Sequence, residues 1–145
     1  MRNTIIIICV ALGLSSCFGP CTDRGSGRFP DGEAELICEA DSTMRVLTIE
    51  DSLDLAVLRA SSQDLTWKML LSDEFKRLSE LMIATVTHPS QDGVGIAGPQ
   101  VGLNRRVVAV QRFDKDGEPF EVYPNVRIVW ASDSLAAGPE GCLSV

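Results

Sequence analysis

The sequence predicts an α+β fold, and three features carry that expectation. One stretch, after Ser72, has apolar residues at helical spacing with both a start and a stop signal. Beyond Gly102 the apolar period changes to two, with an Asp-Gly turn signal between short runs. One clear helix followed by several short strands reads as α+β. At 145 residues and 45% hydrophobic, the chain is long enough for one domain with a genuine core. The formal net charge of -7 argues against nucleic acid as a partner, since its binders need a basic face to displace counterions.

From the N-terminus, Met1-Arg2-Asn3 is a short basic start and Thr4–Leu14 is an apolar run, closed by Leu14-Ser15-Ser16-Cys17. The run is shorter than the roughly 20 residues a membrane-spanning helix needs. It has the flanks of a secretory signal. Ending in Cys, it resembles a bacterial lipoprotein signal, which implies cleavage after Ser16 and lipidation of Cys17. The expected organisation is a signal peptide over 1–16, a lipid-anchored flexible tether over 17–43 and a folded domain over 44–145. That reading makes the protein an exported lipoprotein of the bacterial cell envelope, attached to the membrane through its lipid; without a signal, it would be cytoplasmic. In an exported chain Cys21 and Cys38 can pair or stay free, because spacing does not fix connectivity.

Arg45–Ile49 reads as a short strand, and residues 50–60 as a helix with Leu53, Val57 and Ala60 on its apolar side. The strongest helix begins at Ser72, whose hydroxyl can cap the first turn, with Asp73 and Glu74 at the positive end of the dipole. Phe75, Leu78, Met82 and Val86 form its stripe, flanked by Leu81 and Thr85, and His88-Pro89 ends it. Val107–Val110 reads as a buried strand, Phe113–Gly117 as a hairpin turn, and Glu121–Tyr123 and Val126–Trp130 as further strands. Asp133–Pro139 is a polar loop.

Chemistry concentrates in two places. Gly93–Gly102, GVGIAGPQVG, contains G-x-G-x-x-G. A dinucleotide loop needs a strand before it and a helix after it, and here the order is reversed. The second place is Glu140-Gly141-Cys142-Leu143-Ser144. A lone cysteine such as Cys142 is more often an apolar core residue than a ligand.

Together the two strings resemble the first two motifs of the peptide deformylases, G-x-G-x-A-A-P-Q and E-G-C-L-S. The match holds at Gly93, Gly95, Ala97, Pro99 and Gln100, and across all five residues of the second motif. It departs at Gly98, where the family usually has Ala, a small change expected to be tolerated. The resemblance implies a metal-dependent amidohydrolase that removes formyl from N-formyl-methionyl peptides. It also implies an antiparallel sheet with helices. Cys142 would be a ligand to Fe2+ or Zn2+. The Gln100 amide and the Leu143 N–H would stabilise the oxyanion, and Val94, Gly95, Glu140 and Gly141 would line the peptide groove. The family's third motif, a helix with H-E-x-x-H supplying two metal ligands and a catalytic Glu, is absent. The one histidine, His88, sits at a helix end and reads as a surface residue. The chain therefore reads as an incomplete deformylase-like domain, a fragment, frameshifted copy or decayed paralogue, inactive and without a tightly bound metal as it stands. The competing class is a non-catalytic surface lipoprotein that uses the groove to bind peptides.

Overall fold

A computed structural model describes residues 29–138 and 141–145. The signal segment, Cys17, Cys21 and Glu140 lie outside the described residues. In chain order the elements are helices α1 (Asp31–Glu39), α2 (Ser52–Arg59), α3 (Trp67–Leu70) and α4 (Asp73–Val86), strand β1 (Gly95–Ala97), a 3-10 turn (Gly98–Val101), and strands β2 (Val107–Gln111) and β3 (Phe120–Pro124). The strands form one antiparallel sheet in the order β1-β2-β3. The fold class is α+β.

Helix α4 forms where the pattern placed it. Ser72 Oγ accepts from Phe75 N at 3.2 Å and donates to the Met69 carbonyl at 2.8 Å, so one hydroxyl caps α4 and ties it to α3. Leu78, Leu81, Met82 and Val86 are buried, and α4 packs against α1, β1 and β2. Ile96, Val107 and Ala109 of the sheet complete the core beneath it. The hairpin between β2 and β3 closes through Arg112 N to the Pro119 carbonyl at 2.9 Å, with Gly117 at φ +77° as the Asp-Gly signal requires.

Four expectations are corrected. Of the tether expected over 17–43, residues 17–28 lie outside the described residues and the rest is packed: Phe29 and Ile37 are buried and α1 packs on α4, because the apolar residues of this short segment have a helical face and find a partner. Residues Arg45–Ile49 form no strand, because their donors leave in different directions: Leu47 N bonds the Gln100 carbonyl at 2.8 Å and Ile49 N the Ser144 carbonyl at 2.9 Å. Helix α2 does not bury the Leu53 face, which is 77% exposed; it turns in Asp54. That carboxylate receives two bonds from Arg45, at 2.8 and 2.7 Å, and one from Thr48 N at 3.1 Å. Residues Val126–Trp130 form no strand. Asn125, at φ 55°, turns the chain off the ladder, while its side chain accepts from Leu65 N at 2.7 Å and donates to the Leu65 carbonyl at 3.0 Å. Ile128 and Val129 are left 90% and 95% exposed.

The ion pairs set an acid limit. Hydrogen bonds from Arg45 hold the Asp54 carboxyl below its usual range, and those from Arg112 pull Asp114 down to about 2. A depressed carboxylate adds stability above its unfolded value, near 3.8 here, and that stability is lost as pH falls through the folded value. The thermal midpoint is expected to hold to about pH 4 and then to drop steadily toward pH 2. Asp54→Asn should flatten much of the slope, because the Asp54 side chain is only 8% exposed whereas that of Asp114 is 65% exposed. A midpoint insensitive to acid down to pH 2, measured by circular dichroism, would contradict this.

Candidate functional site

The two motifs lie far apart in sequence, and the fold joins them through the last turn of α4 and the segment 44–49. The Gly93 N–H bonds the Val86 carbonyl at 3.0 Å, so the first motif starts directly off the last turn of α4. Gly93 admits Leu143 of the second motif: a β-carbon there would lie 3.0 Å from Leu143 Cδ1 and 3.0 Å from Val86 Cγ2. Val94 O accepts from Gln111 N at 2.9 Å, and Gly95 pairs with Val110, which fixes this stretch to the edge of the sheet. The 3-10 turn then carries Gln100, and it ends at Gly102 with φ +86°.

Gln100 is held from three sides. Its carbonyl receives Leu47 N, and its side-chain Oε1 accepts from Ala97 N at 2.9 Å. With the oxygen occupied, Nε2 is the group left to donate across the cleft. It lies 3.2 Å from Ser144 Oγ and 4.0 Å from Cys142 Sγ. Ser144 is buried, and its carbonyl is pinned by Ile49 N, so segment 44–49 braces both motifs at once. Cys142 is an exposed free thiol. The Leu143 N–H is engaged by no other described residue.

A cavity of about 440 Å³ opens between the motifs, lined by Asp92, Gly93, Val94, Gly95, Gln100, Gly141, Cys142 and Leu143. The structure thus brings together Val94, Gly95, Gln100, Gly141, Cys142 and Leu143, six of the residues singled out in the sequence. Glu140 lies outside the described residues. Two positions escaped the sequence reading: Asp92, a charged residue at the cleft wall, and Ser144, the hydrogen-bond partner of Gln100. Ser144 was visible as the last letter of the second motif, but nothing in the sequence shows that it meets Gln100. A second cavity, about 320 Å³, lies on the far side of the 3-10 turn between Leu36, Met44, Leu47 and Val101, and its lining is mainly apolar.

The glycine at Gly98, where the family usually has Ala, is matched to its surroundings. A β-carbon at Gly98 would stand 2.6 Å from the Arg105 carbonyl oxygen and 2.9 Å from that of Leu103. Both are backbone atoms in a tightly bonded loop, with Leu103 N on the Gly98 carbonyl at 2.9 Å and Arg105 N on the Leu103 carbonyl at 2.7 Å. Ala does not fit here without displacing one strand of backbone from another.

Among the described residues no three His, Cys, Asp or Glu side chains converge on a point. Cys142 is a ligand of the soft kind that iron and zinc accept, but tight tetrahedral sites take three or four protein ligands, so the described residues do not by themselves fit a metal. His88 is exposed at the end of α4, its Nδ1 2.8 Å from Ser90 Oγ, and does not line the cleft. The donor pair of Gln100 Nε2 and Leu143 N–H beside a thiol can bind an oxygen that gains negative charge.

A family model described as polypeptide deformylase matches residues 43–145. A peptide deformylase of Caulobacter sp. (strain K31) is 35% identical over 102 residues, covering 70% of this chain and 56% of that protein. Peptide deformylase 2 of Gloeobacter violaceus is 40% identical over 93 residues, covering 61% of this chain and 46% of that protein. Among solved structures, a class I type b peptide deformylase from Acinetobacter baumannii bound to Met-Ala-Ser superimposes with a TM-score of 0.58 at 28% identity, over 72% of this chain and 66% of that one. The chain spans about half the length of the curated relatives it matches.

Proposed function

Because the chain belongs to the peptide deformylase family, we propose that its cleft forms the oxyanion-binding and thiolate side of a site that removes formyl from N-formyl-methionyl peptides. The observation that carries this reading is the convergence of Gln100 Nε2 and Cys142 Sγ, 4.0 Å apart, in a cleft walled by the backbone of Gly93–Gly95 and Gly141–Leu143. Glycines on both walls let an extended peptide approach main chain to main chain. Gln100 Nε2 and the Leu143 N–H hold the formyl oxygen as it gains charge, and the bond from Ala97 N to Oε1 keeps the amide pointing the useful way round. Peptides are the ligand class because Met-Ala-Ser is what the related Acinetobacter enzyme holds.

The family is metal-dependent. Cys142 contributes one thiolate to such a site, for iron or zinc, and the described residues supply no converging set of three. The test is formate release from formyl-Met-Ala-Ser with added Fe2+, by this chain alone and joined to a helix bearing H-E-x-x-H. The joined form is expected to release formate, and Cys142→Ala to abolish the release. No release from a folded, metal-loaded joined form would refute the proposal, and peptide binding without release would point to a binding module instead.

A further inference from the structure

Helix α1 ends at Glu39, before the residues 43–145 that match the family, yet it touches the segment just beyond the turn that carries Gln100 at two points, Arg105 and Gly102. The first is an ion pair. Arg105 is a buried residue whose side chain is 8% exposed, and its Nε donates to Glu33 of α1 at 2.9 Å to Oε2 and 3.1 Å to Oε1. Its Nη1 donates to the Asp64 carbonyl at 3.3 Å. The second is apolar: Leu36 Cδ2 lies 3.2 Å from where a β-carbon of Gly102 would stand. Gly98 and Gly102 bracket Gln100 on either side. The Arg105 carbonyl is the atom that packs against Gly98, so the position of Arg105 sets how close the turn can sit.

We infer that α1 is a brace outside the family's common domain, and that Glu33, acting through Arg105 and Gly98, is a positioning residue for the Gln100 side-chain amide. The inference rests on Gln100 being the oxyanion donor of the proposed reaction. The physical case is that a buried guanidinium cannot remain in place once its carboxylate is removed, because the unpaired charge is too costly. Arg105 then moves toward water and takes its carbonyl with it. The turn loses the surface it packs on, and Gln100 Nε2 drifts from Cys142 and Ser144. Glu33→Gln keeps an acceptor for Arg105 Nε but not the charge, so it should restore only part of what Glu33→Ala loses.

The experiment follows the Gln100 side-chain NH2 cross-peaks in 1H–15N spectra of the full chain, assigned by their loss in Gln100→Ala. A second reading is the rate at which iodoacetamide alkylates Cys142, resolved by peptide mass mapping. Glu33→Ala is expected to shift the Gln100 peaks more than those of any other glutamine and to change the alkylation rate severalfold, with Glu33→Gln between Glu33→Ala and wild type in both. If Glu33→Ala does not fold, Glu33→Asp, which draws the carboxylate back by one methylene, should give the same shifts in smaller measure. Unmoved Gln100 peaks in a folded Glu33→Ala or Glu33→Asp protein, even with a lowered thermal midpoint, would overturn the inference and leave Glu33 a general stabiliser. Neither reading needs turnover. Absence of formate release from the metal-loaded joined form would therefore count against the deformylase proposal, while the resonance decides the brace.

Discussion

Gln100→Ala is expected to lower kcat for formate release about 100- to 1000-fold in the metal-loaded form joined to H-E-x-x-H, with a much smaller change in KM. In the proposed reaction the amide donates to an oxygen whose charge grows only as the transition state forms, so its loss would fall on the chemical step rather than on binding. Gln100→Glu sharpens the test. Its carboxylate can keep the bond from Ala97 N, 2.9 Å in the native turn, while placing an acceptor where Nε2 now lies 4.0 Å from Cys142 Sγ. If Gln100 serves only to hold the turn, Gln100→Glu should be nearly as active as wild type. If it is the oxyanion donor, Gln100→Glu should be at least as impaired as Gln100→Ala, because it adds repulsion to a missing hydrogen bond. Equal rates for all three proteins in the formate assay would remove Gln100 from the mechanism.

Gly98→Ala is expected to destabilise the protein by about 1–3 kcal/mol, the usual range for forcing an extra carbon into packed structure. That corresponds to a thermal midpoint lower by roughly 4–15 °C for a domain of this size. The cost is large for one methyl group because what it meets, at 2.6 and 2.9 Å, is backbone oxygen on a loop fixed by its own hydrogen bonds, not the tip of a side chain that can swing away. The strain should also open the turn bearing Gln100. Gly32→Ala is the matched control. It lies on the exposed face of α1 with nothing within 4 Å of a β-carbon, and it should stabilise by about 0.5–1 kcal/mol through helix propensity alone. A Gly98→Ala protein that melts with the wild type in calorimetry would show that the loop 103–105 yields freely.

The sequence determined what is local and strongly patterned. Ser72 and the stripe through Val86 could specify only a helix, the Asp-Gly turn only a hairpin, and the two glycine-bearing motifs were legible because their chemistry is written in consecutive residues. Where partners are distant in the chain, the sequence was silent or misleading. Arg45–Ile49 and Val126–Trp130 have the composition of strands, yet a strand exists only if another offers its backbone, and here Gln100, Ser144 and Asn125 redirect those donors and acceptors. Leu53, Val57 and Ala60 look like a buried face, but Asp54 is drawn inward by Arg45, a pairing that spacing does not announce. Gly98 reads in the sequence as a tolerated departure from Ala, and only the Arg105 and Leu103 carbonyls beside it show that a β-carbon has no room. The segment before residue 43 looked like linker until Ile37 found α4 and Glu33 found Arg105. Patterning along the chain encodes which face of an element is apolar. Which hydrogen-bond donors, charges and backbone atoms meet across the chain is decided only when tertiary packing brings them within a few ångströms.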